Sequence, residues 1–301
     1  MTKKKKDILF LCQYFYPEFI SSATLPYDTA LSLVKAGFTV GAMCGYPKEY
    51  NTVGEVPLYE IHNGIEIKRI KYIQLKLSSF IGRLINYFSF TFSVALRFRY
   101  LCNYKCIVVY SNPPILPLIA SLSSMLFGSK MVFVSYDVYP EIAYATNSIS
   151  KSSIISYIMK LINKAVFRNV DKVVALSNEM KAFLLKHRSS LKAEQIEVIP
   201  NWYEDKGIIN DHTSYDTSLF KDIKSRESFV VSYFGNMGIC QDFETILGAI
   251  KNLNNDENIK FIFAGHGSKM EILKKMVMEE KLQNVTILDF LHGDDYLDAL
   301  K

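Results

Sequence analysis

The chain has 301 residues, 49% of them hydrophobic and 22% charged, and 35 Lys and Arg against 30 Asp and Glu give a formal net charge of +5. This balance excludes a disordered chain and leaves enough apolar material for two domains with sizeable cores. The five cysteines (Cys12, Cys44, Cys102, Cys106 and Cys240) are odd in number and lack paired spacing, which argues against a disulfide framework or a zinc site and for reduced thiols.

At the start, Lys3 to Lys6 precede the apolar run Ile8 to Cys12. The run is too short for a secretory signal and no small-residue cleavage site follows, so it reads as a first strand with a basic lead-in. Residues 7–12 form that strand, and a loop runs through Pro17. Residues 23–35 have helical periodicity, and Gly37 stands where a helix stops. Residues 38–44 read as a strand, 45–69 as irregular with a strand at 65–70, and 78–101 as helix. That helix contains the longest apolar stretch, Phe80 to Phe98, but Arg83, Asn86 and Arg97 interrupt it, so no bilayer span is expected. Strands follow at 106–110 and 131–135 around a helix at 115–127. A helix beginning near Ile154 has a serine-rich cap. A strand at 172–176, a short helix capped by Ser177 and a strand at 195–199 complete the front half.

Residues 201–227 carry no periodicity and read as a linker. Afterwards strands at 229–234, 259–264 and 285–288 alternate with helices at 243–253, 270–280 and from 294 onward. Alternation of this kind predicts an α/β fold with one parallel sheet in each of two Rossmann-like lobes: residues 1–200, then 228–301. Three βα units fall short of the five or six usual in a doubly wound domain, so the second lobe is expected to be incomplete. Charge divides along the same line. Residues 228–301 hold seven lysines, no arginine and eleven acids, a net −4 that leaves +9 on the rest. A basic front half suits phosphate or an anionic lipid surface, and no groove-reading motif points to nucleic acid.

Chemistry is expected in the loops that leave the carboxyl ends of the strands. The first, Gln13 to Ser22, offers Tyr14, Tyr16, Ser21 and Ser22 to an acceptor, the two serines leading into a helix. The second, Ser135 to Glu141, places two acids, Asp137 and Glu141, and two tyrosines directly behind a strand, where acids can orient sugar hydroxyls and aromatic rings can stack on sugar faces. The third runs from Gly235 to Gln241, and its glycines let the backbone approach a diphosphate. In it Gly238 sits where the chain turns into the next helix, so its N–H can face a ligand and its φ can be positive. The fourth is Gly265-His266-Gly267, which repeats that arrangement one unit later. Plain strand-end turns account for each loop taken singly.

Together these segments resemble the retaining glycosyltransferases of family 4, of the two-lobe glycosyltransferase-B architecture, and most of all the branch that builds bacterial surface polysaccharides of the colanic-acid and O-antigen type. The matching stretches are Gln13-Tyr14-Phe15-Tyr16-Pro17-Glu18, Ser111-Asn112-Pro113-Pro114, Asp137-Val138-Tyr139-Pro140-Glu141, Val198-Ile199-Pro200-Asn201-Trp202, Gly235-Asn236-Met237-Gly238 with Gln241, and Ala264-Gly265-His266-Gly267. They occur in the family's order along nearly the whole chain.

The resemblance implies that the front lobe holds the acceptor and the back lobe a nucleotide sugar, UDP-linked by default, with GDP open. It implies a lipid-diphosphate-linked or saccharide acceptor, no metal or other cofactor, and a cytoplasmic protein working at the inner face of a membrane. Gly235, Asn236, Gly238, Gln241, Gly265, His266 and Gly267 would meet the donor, and Asp137 and Glu141 the transferred sugar. Asn236 and Gln241 stand where many members carry Arg and Lys. The family's paired glutamates, eight apart, and its returning C-terminal helix would lie beyond Lys301. Membrane contact is expected from the basic, aromatic-rich region between Lys68 and Lys105, although a core helix with solvated ends accounts for it too. Two other readings are a 2-epimerase-like nucleotide-sugar enzyme and a non-catalytic nucleotide-binding subunit.

Overall fold

A computed structural model describes residues 4–47, 54–75, 80–202, 228–238, 240–291 and 293–300. The chain divides into two compact units, Met1–Trp202 and Tyr203–Lys301. Beyond Asn201 and Trp202, the expected linker lies outside the described residues, as do Ser78, Ser79 and Ile239.

Unit 1 runs β1 (Lys6–Leu11), α1 (Ser21–Lys35), β2 (Val40–Gly45), β3 (Tyr59–His62), β4 (Ile65–Ile70), α2 (Phe80–Ala95), a 3-10 turn (Phe98–Asn103) and β5 (Tyr104–Tyr110). It continues with α3 (Leu116–Phe127), β6 (Lys130–Ser135), α4 (Glu141–Ala145), α5 (Ile154–Asn169), β7 (Lys172–Ala175), α6 (Asn178–His187), a second 3-10 turn and β8 (Ile196–Val198). The strands form one eight-stranded sheet in the order β3-β4-β2-β1-β5-β6-β7-β8. All neighbours are parallel except β3 and β4.

Central strand β1 shows why its residues form a buried strand. Leu9 and Leu11 face a core shared with Phe90 and Val94 of α2, Leu116 of α3, Val166 of α5 and Leu184 of α6. Phe10 points the other way, into a core with Ala30 of α1, Val40 and Ile65. With both faces covered, an unbroken apolar run is what the position requires, and each such side chain contributes roughly 1.5–3 kcal/mol.

The hairpin between β3 and β4 was not anticipated, because residues 45–64 read as irregular. Asn63 (φ +49°) and Gly64 (φ +80°) make its two-residue turn. Asn-Gly is the strongest short hairpin signal a sequence offers, since both turn positions need positive φ. Helix α1 also begins two residues earlier than its periodicity suggested, so Ser21 and Ser22 lie in its first turn.

Unit 2 comprises β9 (Phe229–Asn236), α7 (Phe243–Asn252), β10 (Ile259–His266), α8 (Met270–Glu279), β11 (Val285–Leu288) and α9 (Gly293–Leu300), with a parallel sheet ordered β11-β10-β9. Phe261 and Phe263 pack with Phe243 and Leu247 of α7 and Leu273 of α8. Ile262 packs on the opposite face against Ala299 of α9. Both β9 and β10 continue two residues past their apolar runs, and this extension shapes the site.

Candidate functional site

In unit 1 the strand order reverses between β1 and β5, the place where open α/β sheets leave a crevice at their carboxyl ends. The loops after β1, β5 and β6 each contain a cis X-Pro bond, at Tyr16-Pro17, Asn112-Pro113 and Tyr139-Pro140. Ser111, at the end of β5, splints the neighbouring loop: its hydroxyl accepts from the backbone N–H of Tyr136 at 3.1 Å and of Asp137 at 3.0 Å. Asn163 Nδ2 donates to the Tyr139 carbonyl at 2.6 Å and Arg188 Nη2 to the same oxygen at 2.9 Å.

The two acids of this loop have different surroundings. Glu141 is gripped by Arg188 through both guanidinium ends, at 2.8 and 2.7 Å. Burial by itself would raise its carboxyl, but the Arg188 hydrogen bonds and charge outweigh burial and hold it below its ordinary value. Both Glu141 oxygens accept from Arg188, so the pair ties the start of α4 to the residue that follows α6. Asp137 has no such partner among the described residues, and burial raises its carboxyl. Close to it is Tyr87 of α2, whose hydroxyl burial pushes up while the nearby Asn112 amide lowers it. Neither Arg188, 47 residues from Glu141, nor Tyr87 gave any local signal in the sequence.

Three buried oxygens face this end of the sheet without a hydrogen-bond donor among the described residues: Gln13 Oε1 after β1, Asn112 Oδ1 after β5 and Ser135 Oγ ending β6. Buried polar atoms left this way are uncommon and call for an explanation. Tyr16 is less available than expected. Its ring stacks on His62 with centroids 3.9 Å apart, and its carbonyl accepts from the buried Arg69 at 3.1 Å. Tyr14 and Ser22 are half-buried and Ser21 is exposed.

In unit 2 the ends of β9 and β10 lie side by side, Gly235 in register with Gly265 and Asn236 with His266. These residues belong to the strands rather than to loops. The junction has no room for a side chain at Gly265 or Gly267, whereas a Cβ on Gly235 would meet open space. A Cβ on Gly265 would overlap the Gly235 carbonyl oxygen, and one on Gly267 the carbonyl of Met237. Gly265 (φ +151°) and Gly267 (φ +148°) also hold backbone conformations that favour glycine. Two backbone bonds lock the pair: Met237 N–H donates to His266 at 2.7 Å, and Lys269 N–H to Met237 at 2.9 Å.

Gly238 lies in the turn between β9 and α7. Its φ is not positive, and its N–H donates to Gln241 Oε1 at 2.8 Å. Lys269 Nζ donates to the Gln241 carbonyl at 2.9 Å, which places a cation beside this turn. Asp242 caps α7 by accepting from Thr245 N–H at 3.1 Å, and its bonds to Thr245 lower its carboxyl. Exposed His266 lies against Phe290, centroids 5.3 Å apart.

Comparison with known proteins agrees with this layout. Over 193 residues the chain is 26% identical to the probable glycosyltransferase WbjE of Pseudomonas aeruginosa, covering 64% of this chain and 47% of WbjE. The chain thus spans about half the length of that curated relative. Among solved structures, HepE of Anabaena in complex with UDP and glucose matches with a TM-score of 0.64 at 16% identity, over 96% of this chain and 70% of HepE. WaaG, a glycosyltransferase involved in lipopolysaccharide biosynthesis, matches with a TM-score of 0.60 at 13% identity, over 97% of this chain and 72% of WaaG. These likenesses show the fold, a mixed α/β chain with parallel sheets of the glycosyltransferase-B kind. Residues 23–206 match the description Glycosyltransferase Family 4, and the chain belongs to that family.

Proposed function

We propose that the protein transfers a sugar, with retention, from a nucleotide-sugar donor to a lipid-linked or saccharide acceptor during assembly of a surface polysaccharide, at the cytoplasmic face of a membrane. The observation that carries the donor half is the glycine-lined junction of β9 and β10. There Gly235, Gly265 and Gly267 keep side chains away, and Lys269 lies against the turn that holds Gly238. A diphosphate needs such a backbone approach with N–H groups and positive charge nearby, and in this reading it needs no metal. UDP is the default nucleotide, in keeping with the UDP bound to HepE. The acceptor half rests on unit 1, where Asp137 and the unpartnered Gln13, Asn112 and Ser135 oxygens suit sugar hydroxyl groups as donors. The surface-polysaccharide role follows WbjE and WaaG.

Calorimetric titration of UDP and GDP into wild type and Gly238→Val tests the donor site. A Cβ at Gly238 would meet only the side-chain ends of Asn236 at 2.9 Å and Gln241 at 3.1 Å, so the variant keeps its fold while the turn shifts. We expect UDP affinity to fall at least tenfold. Equal affinity in the two proteins, or no binding of either nucleotide to wild type, would sink the donor reading.

A further inference from the structure

Helix α5 carries Lys160, Asn163, Lys164 and Phe167 at i, i+3, i+4 and i+7, which puts them on one face. Facing it, the chain leaves α6 through His187, Arg188, Ser189 and Ser190. The two segments and Pro140 line a cavity of about 180 Å³. A single water needs about 10–15 Å³, so the space admits a polyatomic ligand.

The lining is basic and its donors are unengaged. Lys160 and Lys164 are exposed and form no ion pair with a described carboxylate. Like charges at i, i+4 weaken a helix, so the two lysines do not serve α5 itself. The backbone N–H and hydroxyl groups of Ser189 and Ser190 have no partner among the described residues. Arg188 has a side chain only 10% exposed, yet its Nε has no acceptor among the described residues. A buried donor left this way calls for one. His187 Nδ1 lies 2.9 Å from the Phe183 carbonyl, which can only accept, so the hydrogen sits on Nδ1 and Nε2 is left over.

Charge sets the class of ligand. Three cations, Lys160, Lys164 and Arg188, stand against one carboxylate, that of Glu141, which Arg188 already holds. The surplus of two positive charges matches a dianion. The negative end of α6 works against any anion, but the His187 ring and the Arg188 N–H cover the Phe183 and Leu184 carbonyls there. A carboxylate would meet only half of the surplus. A phosphate monoester carries about −1.5 to −2 at pH 7 and offers three acceptor oxygens.

We infer that this cavity binds a phosphate monoester. The site lies wholly in unit 1, whereas the β9–β10 junction lies in unit 2. Lys160 and Lys164 meet the phosphoryl oxygens together with the serine N–H and hydroxyl groups. Asn163, Phe167 and Arg188 also line a smaller cavity, of about 20 Å³, that reaches Ser135 and Asp137. Arg188 holds the Tyr139 carbonyl as well. An occupied site therefore steadies the loop that carries Asp137, and the phosphate compound acts as an effector of that loop.

Calorimetric titration of inorganic phosphate and of glucose 6-phosphate, with glucose and UDP as controls, tests this on the full chain. Wild type should bind both phosphate compounds and not glucose. Lys160→Gln with Lys164→Gln should weaken that binding at least tenfold and leave UDP affinity unchanged; both lysines are exposed, so the fold is kept. Ser190→Asp sets a carboxylate in the cavity and should abolish binding. Hydrogen exchange resolved by peptide should slow across residues 136–145 when glucose 6-phosphate is present. Binding of neither phosphate compound to wild type, or wild-type affinity in both variants, would overturn the site. So would displacement of glucose 6-phosphate by UDP, which would place both in the donor site. Unchanged exchange across residues 136–145 would overturn the effector role.

Discussion

Arg188 closes on Glu141 with a fork geometry, Nη1 to Oε1 at 2.8 Å and Nη2 to Oε2 at 2.7 Å, and shares Nη2 with the Tyr139 carbonyl. The arginine side chain is only 10% exposed and the glutamate 29%. Removing the arginine leaves a desolvated carboxylate and frees the loop that carries Asp137. Arg188→Ala should cost roughly 2–4 kcal/mol, somewhat less than breaking a fully buried pair because Glu141 keeps some water. The pH dependence has a definite sign. Burial raises the Glu141 carboxyl, the arginine lowers it by more, and the net shift is downward. The pair therefore contributes fully above the ordinary glutamate value of about 4.3 and loses its contribution as pH falls through the lowered one. Urea unfolding of wild type and Glu141→Gln should show a stability gap at pH 7 that narrows in acid. A gap constant with pH would count against the pair as its source.

Asp137 should behave in the opposite way. Burial raises its carboxyl with nothing to offset it. Such a group favours the folded state most below the ordinary aspartate value of about 3.9, and that advantage is lost as pH rises through the raised value. Asp137→Asn should thus be more stable than wild type at pH 7 and no more stable in strong acid. If the carboxylate aligns a sugar hydroxyl, the same variant should lose about 100-fold or more in transfer rate. Thermal unfolding at two pH values and a transfer assay read the two effects independently. Full turnover would leave Asp137 with no part in the reaction.

At the β9–β10 junction, Gly265→Ala and Gly267→Ala each add a Cβ that meets backbone, at a φ that alanine resists. Each should destabilise unit 2 by roughly 3 kcal/mol or more. Gly248, inside α7 with open space around it, is the control: Gly248→Ala should stabilise by about 0.5–1 kcal/mol. Hydrogen exchange resolved by peptide would assign the change to unit 2. Equal tolerance at all three positions would contradict the close backbone contact.

Gln241 covers the Gly238 N–H that a phosphate would use. Gln241→Ala should free that donor and strengthen UDP binding about twofold. Gln241→Lys should do more, about tenfold, because a charge-assisted hydrogen bond exceeds a neutral one by about 1 kcal/mol or more. Asp242 caps α7 next door and would take part of the new charge. Weaker binding of UDP to both variants in calorimetry would mean that the glutamine amide itself holds the donor.

How much of this was legible beforehand differs from element to element. Strand β1 was readable because a strand buried on both faces needs an uninterrupted apolar run. The caps Ser153 and Ser177 were readable because a serine oxygen accepting the Ser156 or Met180 N–H satisfies a helix end locally. The polar breaks in α2 were seen without their purpose. Asn86 is buried because its amide bonds both the N–H and the carbonyl of Leu75, at 2.8 and 2.9 Å. The ends of β9 and β10 were placed two residues short, since apolarity stops at Phe234 and Ala264 while backbone pairing runs on through glycine.

The amino-acid sequence by itself determined the α/β alternation, the strand-end positions of Asp137, Gly235 and Gly265, and the family resemblance. All of these are carried by local periodicity and short motifs. Tertiary structure alone decided that Glu141 pairs with Arg188 while Asp137 does not, and that Gly238 donates to Gln241. Each of these depends on which distant segments the sheet order brings together. Desolvation and hydrogen-bond partners, which push the two carboxyl groups in opposite directions, exist only once that packing is complete.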